Sequence, residues 1–220
     1  MSGASATLDE IVLADEPERW ATLGFTVAGG CCELGGVRLR FAGLKDGPGI
    51  LGWSLWDLAS TELDGLPTTR AAGAPRARAG AHPNGVLGLD HIVAISPQLD
   101  RSVKALRHAR LDLRRLREQP TPAGAPRQAF FRLGEAILEL VQEPDEVLER
   151  SGGPDRPAFF WGLALVSDDL ERTAELIGSS AGSIRPAVQS GRRILTLRRS
   201  AGLAVPLALI SSPTGGGERG

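Results

Sequence analysis

Residues 89–110 read LDHIVAISPQLDRSVKALRHAR, and the change of period inside this stretch decides the fold. The first half is a run of β-type residues; the second repeats apolar residues at helical spacing. Leu99, Val103 and Leu106 fall on one helix face, with Arg101, Lys104 and Arg107 elsewhere. Residues 128–143, QAFFRLGEAILELVQE, then supply alternating strands around a glycine turn, and LDLRRLRE (111–118) is open between a longer helix and a strand. In GEAILELVQ, Ile137, Glu139 and Val141 share one face while Ala136, Leu138 and Leu140 share the other. A carboxylate on a face with Ile and Val is unusual, because buried carboxylates need a partner.

The same design occurs twice more. Residues 159–211 open with FFWGLALVSDDLERTAELIGS, where Asp168 and Asp169 suit a helix N-terminus, Leu170, Ala174 and Ile177 form an apolar stripe and Gly178 supplies a stop. They close with RPAVQSGRRILTLRR and GLAVPLALIS. Residues 8–43 give a shorter copy: LDEIVLAD, a helical patch PERWATLGF, then CCELGGVRLRFAG. Between copies lie a β-like run, GILGWSLWDL (49–58), and a Pro/Ala/Gly/Arg stretch, TTRAAGAPRARAGAHPNG (68–85), whose composition predicts an extended or mobile connector. Each full copy is one strand, one helix and two or three further strands: α+β, with repeated modules.

Composition narrows the function. The 220 residues carry 25 Lys+Arg against 26 Asp+Glu, a formal charge of −1, so a general nucleic-acid surface is not expected. The Arg-Arg pairs reflect a chain-wide preference for arginine over lysine. No apolar run approaches the roughly 18–20 residues that cross a bilayer, and MSGASATLDE lacks a secretory pattern, so a cytoplasmic location is expected. Cys31 and Cys32 are adjacent and cannot close an ordinary disulfide; they read as small strand residues. No Ser-His-Asp order, phosphate loop or dinucleotide fingerprint is present.

The βαβββ repeats, carried by LDHIVAISPQLDRSV, QAFFRLGEAILELV and FWGLALVSDDLERTAELIG, resemble the vicinal oxygen chelate superfamily of glyoxalases, extradiol dioxygenases and bleomycin-resistance proteins. The resemblance covers residues 89–211 and reaches the N-terminal part weakly. It implies paired modules, 89–143 and 159–211, in a glyoxalase-like domain at 87–212. A reduced N-terminal module would occupy 1–66, a connector 67–86 and a disordered tail 213–220. The incomplete N-terminal copy would lean on the C-terminal domain or on a second subunit, as in a homodimer.

Metal-dependent members of that superfamily place ligands on the first and last strands of each module. His91 and Glu139 match those places, as a catalytic pair or as ligands of a divalent Mn, Fe, Ni or Zn ion. In the second module the equivalent positions are Gly162 and Ala208, which offer no side-chain donor. In the N-terminal copy they are Glu10 and Arg40, a salt bridge rather than a metal site. Gln128, Phe130, Arg132 and Trp161 are candidate substrate contacts. His82 reads either as connector surface or as a further polar group over the cavity mouth; His108 has no assigned role. Two functions follow. One is a glyoxalase-like lyase or isomerase acting on a small carbonyl or hydroxyl compound in a C-terminal cavity through His91 and Glu139. The other is a metal-free protein of bleomycin-resistance type that sequesters a small molecule.

Overall fold

The computed structural model describes residues 5–45, 47, 49–121 and 124–212; the expected disordered tail lies outside them. In chain order the elements are β1 (Thr7–Leu13), α1 (Pro17–Thr22), β2 (Cys31–Leu34), β3 (Val37–Phe41), β4 (Ile50–Trp56), β5 (Thr68–Arg70) and β6 (Val86–Ser96). There follow α2 (Leu99–His108), β7 (Asp112–Arg117), β8 (Gln128–Leu133), β9 (Ala136–Gln142) and α3 (Asp145–Arg150). The chain ends with β10 (Phe159–Ser167), α4 (Leu170–Ile177), β11 (Arg185–Pro186), β12 (Arg193–Thr196) and β13 (Leu207–Ser211). The open stretch at 111–118 is therefore a strand. The short α3, which the periodicity missed, buries none of its residues.

Two mixed sheets result. An eight-stranded sheet has the order β11-β12-β13-β10-β6-β9-β8-β7, and a five-stranded sheet the order β2-β3-β1-β4-β5. Within each module the first strand pairs parallel with the last, β6 with β9 and β10 with β13. The two opening strands β6 and β10 lie antiparallel and join the modules. The N-terminal sheet repeats this plan with pieces removed: β1 is parallel to β3, antiparallel to β4, and β4 is parallel to β5. Paired βαβββ modules with a shortened N-terminal copy are the architecture of the chain.

The copies match at particular positions. The opening strands carry extra residues against their antiparallel partners, at Asp9 on β1, Leu51 on β4, Leu87 and Asp90 on β6, and Trp161 on β10. Next to the bulges at Leu51 and Trp161 stand Gly52 and Gly162, and a Cβ on either would come 2.9 Å from a proline carbonyl oxygen, that of Pro67 or Pro206. Fifteen positions separate Gly52 from Pro67 and forty-four separate Gly162 from Pro206, so the truncated module has lost its helix and intervening strands but kept the first and last. Strand end and helix are tied alike in both full modules: the Ser96 and Ser102 hydroxyls are 2.6 Å apart, those of Ser167 and Thr173 2.8 Å.

The eight-stranded sheet has two different faces. One is sealed under α2 and α4, whose Leu99, Leu106, Leu170 and Ile177 are buried. Asp169 caps α4 by accepting from the Arg172 N–H at 3.0 Å, and Gly178, at φ +64°, ends it. On β9 the sealed face holds Ala136, Leu138 and Leu140, all buried, whereas Ile137, Glu139 and Val141 on the open face are half-buried. The two sheets share one hydrophobic core. Trp53 meets Phe160 edge-on, with ring centroids 4.9 Å apart, and Asp64 accepts from Arg101 Nε at 2.7 Å. The Asp15 carboxylate, fully buried, accepts from the Trp20 indole at 3.1 Å and from the Ala204 N–H at 3.0 Å.

Candidate functional site

Cross-strand register sets out the open face in rows. One runs Arg132, Ile137, His91, Ala164 and Ala208 across β8, β9, β6, β10 and β13. The next runs Arg115, Phe130, Glu139, Val93 and Gly162 across β7, β8, β9, β6 and β10. His91 and Glu139 therefore stand on neighbouring strands one step apart, and His91 Nε2 lies 3.5 Å from Glu139 Oε2.

The bulge at Asp90 breaks the alternation of β6, so the side chains of Asp90 and His91 meet on the same face. Asp90 Oδ2 is 2.7 Å from His91 Nδ1, and Asp90 Oδ1 is 2.7 Å from Arg192 Nη1. Burial pushes the Asp90 carboxyl up, but the hydrogen bonds and charges of His91 and Arg192 outweigh it and hold it below the usual carboxylate range. An ionised Asp90 can only accept, so Nδ1 carries the imidazole proton and the Nε2 lone pair faces Glu139. Burial moves Glu139 the other way: its carboxyl is raised, with Asp90 adding to the shift and His91 opposing it. Gln128 donates its amide N–H to the second Glu139 oxygen. A continuous chain results: Arg192, Asp90, His91, Glu139, Gln128.

Asp90 and Arg192 are absent from the sequence-derived site. Strict alternation puts Asp90 behind His91, and nothing local ties Arg192 to either. The LDH/LDE likeness of β6 and β1 held the available signal, since Asp9 at the equivalent bulge is ion-paired to Arg76. The pair expected in the N-terminal copy is present, with Arg40 Nε 2.9 Å from Glu10 Oε1.

Gln128, buried, and Phe130, half-buried, flank Glu139 on β8. Trp161, at the β10 bulge, is 52% exposed. Arg132 stands apart: its Nε donates to the Gly134 carbonyl at 3.0 Å, and its side chain lines a cavity of about 790 Å³ between the two sheets. That cavity reaches Asp90 and Val166, and its lining does not include His91 or Glu139. The expected C-terminal cavity is thus an uncovered sheet face adjoining an inter-sheet cleft. His82 fits neither of its readings. It is buried, its Nδ1 accepts from the Thr26 N–H at 3.1 Å, and its Nε2 faces the Glu33 carbonyl at 3.1 Å, fastening the end of the connector to the N-terminal sheet.

The donor set does not suit a resident divalent ion. Of the four positions on the opening and closing strands, Gly162 and Ala208 supply nothing, and a Cβ at 162 is excluded by the Pro206 carbonyl. Asp90 is taken up by His91 and Arg192. Two donors remain, fewer than the three protein ligands of an open catalytic metal site. Among the described residues no group of three or more His, Cys, Asp or Glu has metal-binding geometry.

The paired modules, with their parallel first and last strands and antiparallel opening strands, follow the plan of one fold. The chain has the vicinal oxygen chelate fold. Among solved structures it is similar to a xylose isomerase-like TIM barrel/4-hydroxyphenylpyruvate dioxygenase fusion protein, at 12% identity and a TM-score of 0.63, over 100% of this chain and 51% of that one. It is also similar to methylmalonyl-CoA epimerases from Mycobacterium tuberculosis (18% identity, TM-score 0.46, 58% of this chain and 89% of that one) and Streptomyces coelicolor (19%, 0.46, 59% and 96%). The Streptomyces enzyme was solved with 2-nitronate-propionyl-CoA. No protein-family model and no curated protein sequence matches the chain. In this vicinal oxygen chelate fold, β6, β9, β10 and β13 are the opening and closing strands of the paired modules, and His91 and Glu139 stand on the first two. No helix among the described residues is long and apolar enough to cross a membrane.

Proposed function

We propose that the chain binds a small carbonyl or hydroxyl compound on the open face of its eight-stranded sheet and moves a proton on it with His91 and Glu139, as an isomerase or lyase without a resident metal. The observation that carries this reading is the Asp90–His91–Glu139 alignment, which fixes the tautomer of a base and sets it beside a carboxyl that burial inclines to keep its proton. His91 Nε2 takes a proton from the substrate carbon, and the electron pair of the broken C–H bond passes into the adjoining carbonyl as an enolate. Glu139 gives its proton to the enolate oxygen or to the neighbouring carbon. The pair ends as imidazolium and carboxylate, and transfer across their 3.5 Å separation restores it.

Hydrogen–deuterium exchange tests this. The protein is incubated in D2O with simple carbon acids such as 2-oxobutyrate, and loss of the C–H signal is followed by NMR, with and without a chelator. The reading expects exchange above buffer that the chelator leaves unchanged and that Glu139→Gln abolishes. Binding of the same compounds without exchange would favour the second reading, sequestration, which the missing donors at Gly162 and Ala208 support. Exchange that the chelator removes would restore the metal-dependent alternative with Mn, Fe, Ni or Zn.

A further inference from the structure

The β7–β8 edge of the open face holds two guanidiniums that the rest of the chain leaves unneutralised. Arg115 lies directly across from Phe130 and Arg117 directly across from Gln128, so both project from the same face as Glu139. Among the described residues neither side chain has an ion pair or a hydrogen bond, although Arg114 beside them is bound to Asp112 at 3.2 Å, and Arg38, Arg40, Arg76, Arg101, Arg127 and Arg156 all have carboxylate partners. Other arginines of the chain, Arg107, Arg150 and Arg185 among them, also lack a partner among the described residues; what sets Arg115 and Arg117 apart is that they stand side by side on the face that carries Phe130, Gln128 and Glu139, where an anion from outside can reach both.

Their placement says where that anion sits. Neighbouring strands are ~4.8 Å apart, so the backbone of Arg115 is about 10 Å from that of Glu139, with the Phe130 ring between them on the same row. Across Glu139 the row continues to Val93 and to Gly162, which has no side chain, with the exposed Trp161 at the bulge beyond. We infer that the ligand of this face is an organic anion: a terminal carboxylate or phosphate held by Arg115 and Arg117, an apolar or aromatic body lying on Phe130, and the reacting carbon brought to Glu139 and His91. The guanidinium fork matches either oxyanion. The inference rests on the proton-transfer reading for what happens at the far end of the ligand, but not for the anchoring itself.

A matched pair of probes tests it. Binding of 2-naphthoate and of its neutral analogue 2-naphthamide to the full chain is measured by calorimetry, on the wild type, on Arg115→Met/Arg117→Met, and on Glu139→Gln. The expected result is naphthoate bound at least tenfold more tightly than the amide, with the difference removed in the double arginine variant, reduced by high salt, and retained in Glu139→Gln. Methionine keeps the apolar stem of each arginine, and a thermal melt confirms that the variant folds. Equal affinities for the two probes, no binding of either, unchanged naphthoate affinity in the double variant, or a second copy of the chain covering this face in solution would each overturn the inference. Anion preference without proton exchange would leave the anchor standing and remove the His91–Glu139 chemistry; exchange without anion preference would do the reverse.

Discussion

Asp90 and His91 are consecutive in sequence and nevertheless share one face of β6, with Asp90 Oδ2 2.7 Å from His91 Nδ1. The single extra residue that places them there also lets Arg192, from the turn before β12, hold the other carboxylate oxygen. One module thereby orients the base of the other.

That arrangement predicts the outcome of Asp90→Asn. Arg192 can only donate, so it keeps the amide oxygen on its side and turns the amide N–H2 toward His91. Nδ1 must then accept, and the imidazole proton moves to Nε2. Ring-nitrogen NMR shifts of His91 should exchange their protonated and unprotonated signatures, and proton exchange on a carbon acid should fall by roughly 10²–10⁴. Unchanged ring-nitrogen shifts would show that Asp90 does not set the tautomer.

Glu139 contributes a pH dependence with a definite sign. Burial raises its carboxyl above the usual 4.5, so the folded chain holds that proton more tightly than the unfolded one. Its contribution to stability is full below about 4.5 and declines as the pH rises through the folded value. Glu139→Gln lacks this decline. Urea titrations at pH 5 and pH 8 should show the variant gaining on the wild type at the higher pH; a constant difference would contradict the buried placement.

Gly52 and Gly162 are under the same constraint, each with a would-be Cβ 2.9 Å from a proline carbonyl oxygen. Gly52→Ala and Gly162→Ala should each lower stability by about 1–3 kcal/mol in urea unfolding. Ala208→Ser, on the half-buried open face, should stay within about 0.5 kcal/mol.

His82 titrates in the opposite sense to Glu139. Burial lowers its folded-state value below 6.5, opposed by the Glu33 carbonyl, and protonation would set Nδ1–H against the Thr26 N–H. Stability is complete above about 6.5 and is lost as the pH falls below it. The melting temperature should drop between pH 7 and pH 5.5 in the wild type, and less so in His82→Gln, whose amide has a donor and an acceptor for the same two partners.

The fold was legible because period and punctuation are local. The helical spacing of Leu99, Val103 and Leu106, the acidic cap at Asp169 and the alternation of residues 136–142 all survive in the structure. GILGWSLWDL stood out as a β-like run, and as β4 it pairs with β1 as β10 pairs with β6. Half of the candidate site was legible through the resemblance, which matches His91 and Glu139 to the first and last strands of one module. The other half was not. Asp90 joins the site through a bulge that alternation cannot anticipate, and Arg192 reaches it from a turn a hundred residues away. His82 was misread because Pro, Ala and Gly around it describe a connector, while its burial depends on a β2 strand fifty residues earlier.

The central claim is that His91 and Glu139 act as one proton-transferring unit. The direct test is the D2O exchange rate of a carbon acid with His91→Gln, Glu139→Gln and the double variant. Each single change should remove nearly all of the acceleration over buffer, and the double variant should be no slower than either, the non-additivity expected of residues working together. Independent, multiplying losses, or exchange that survives both substitutions, would contradict it.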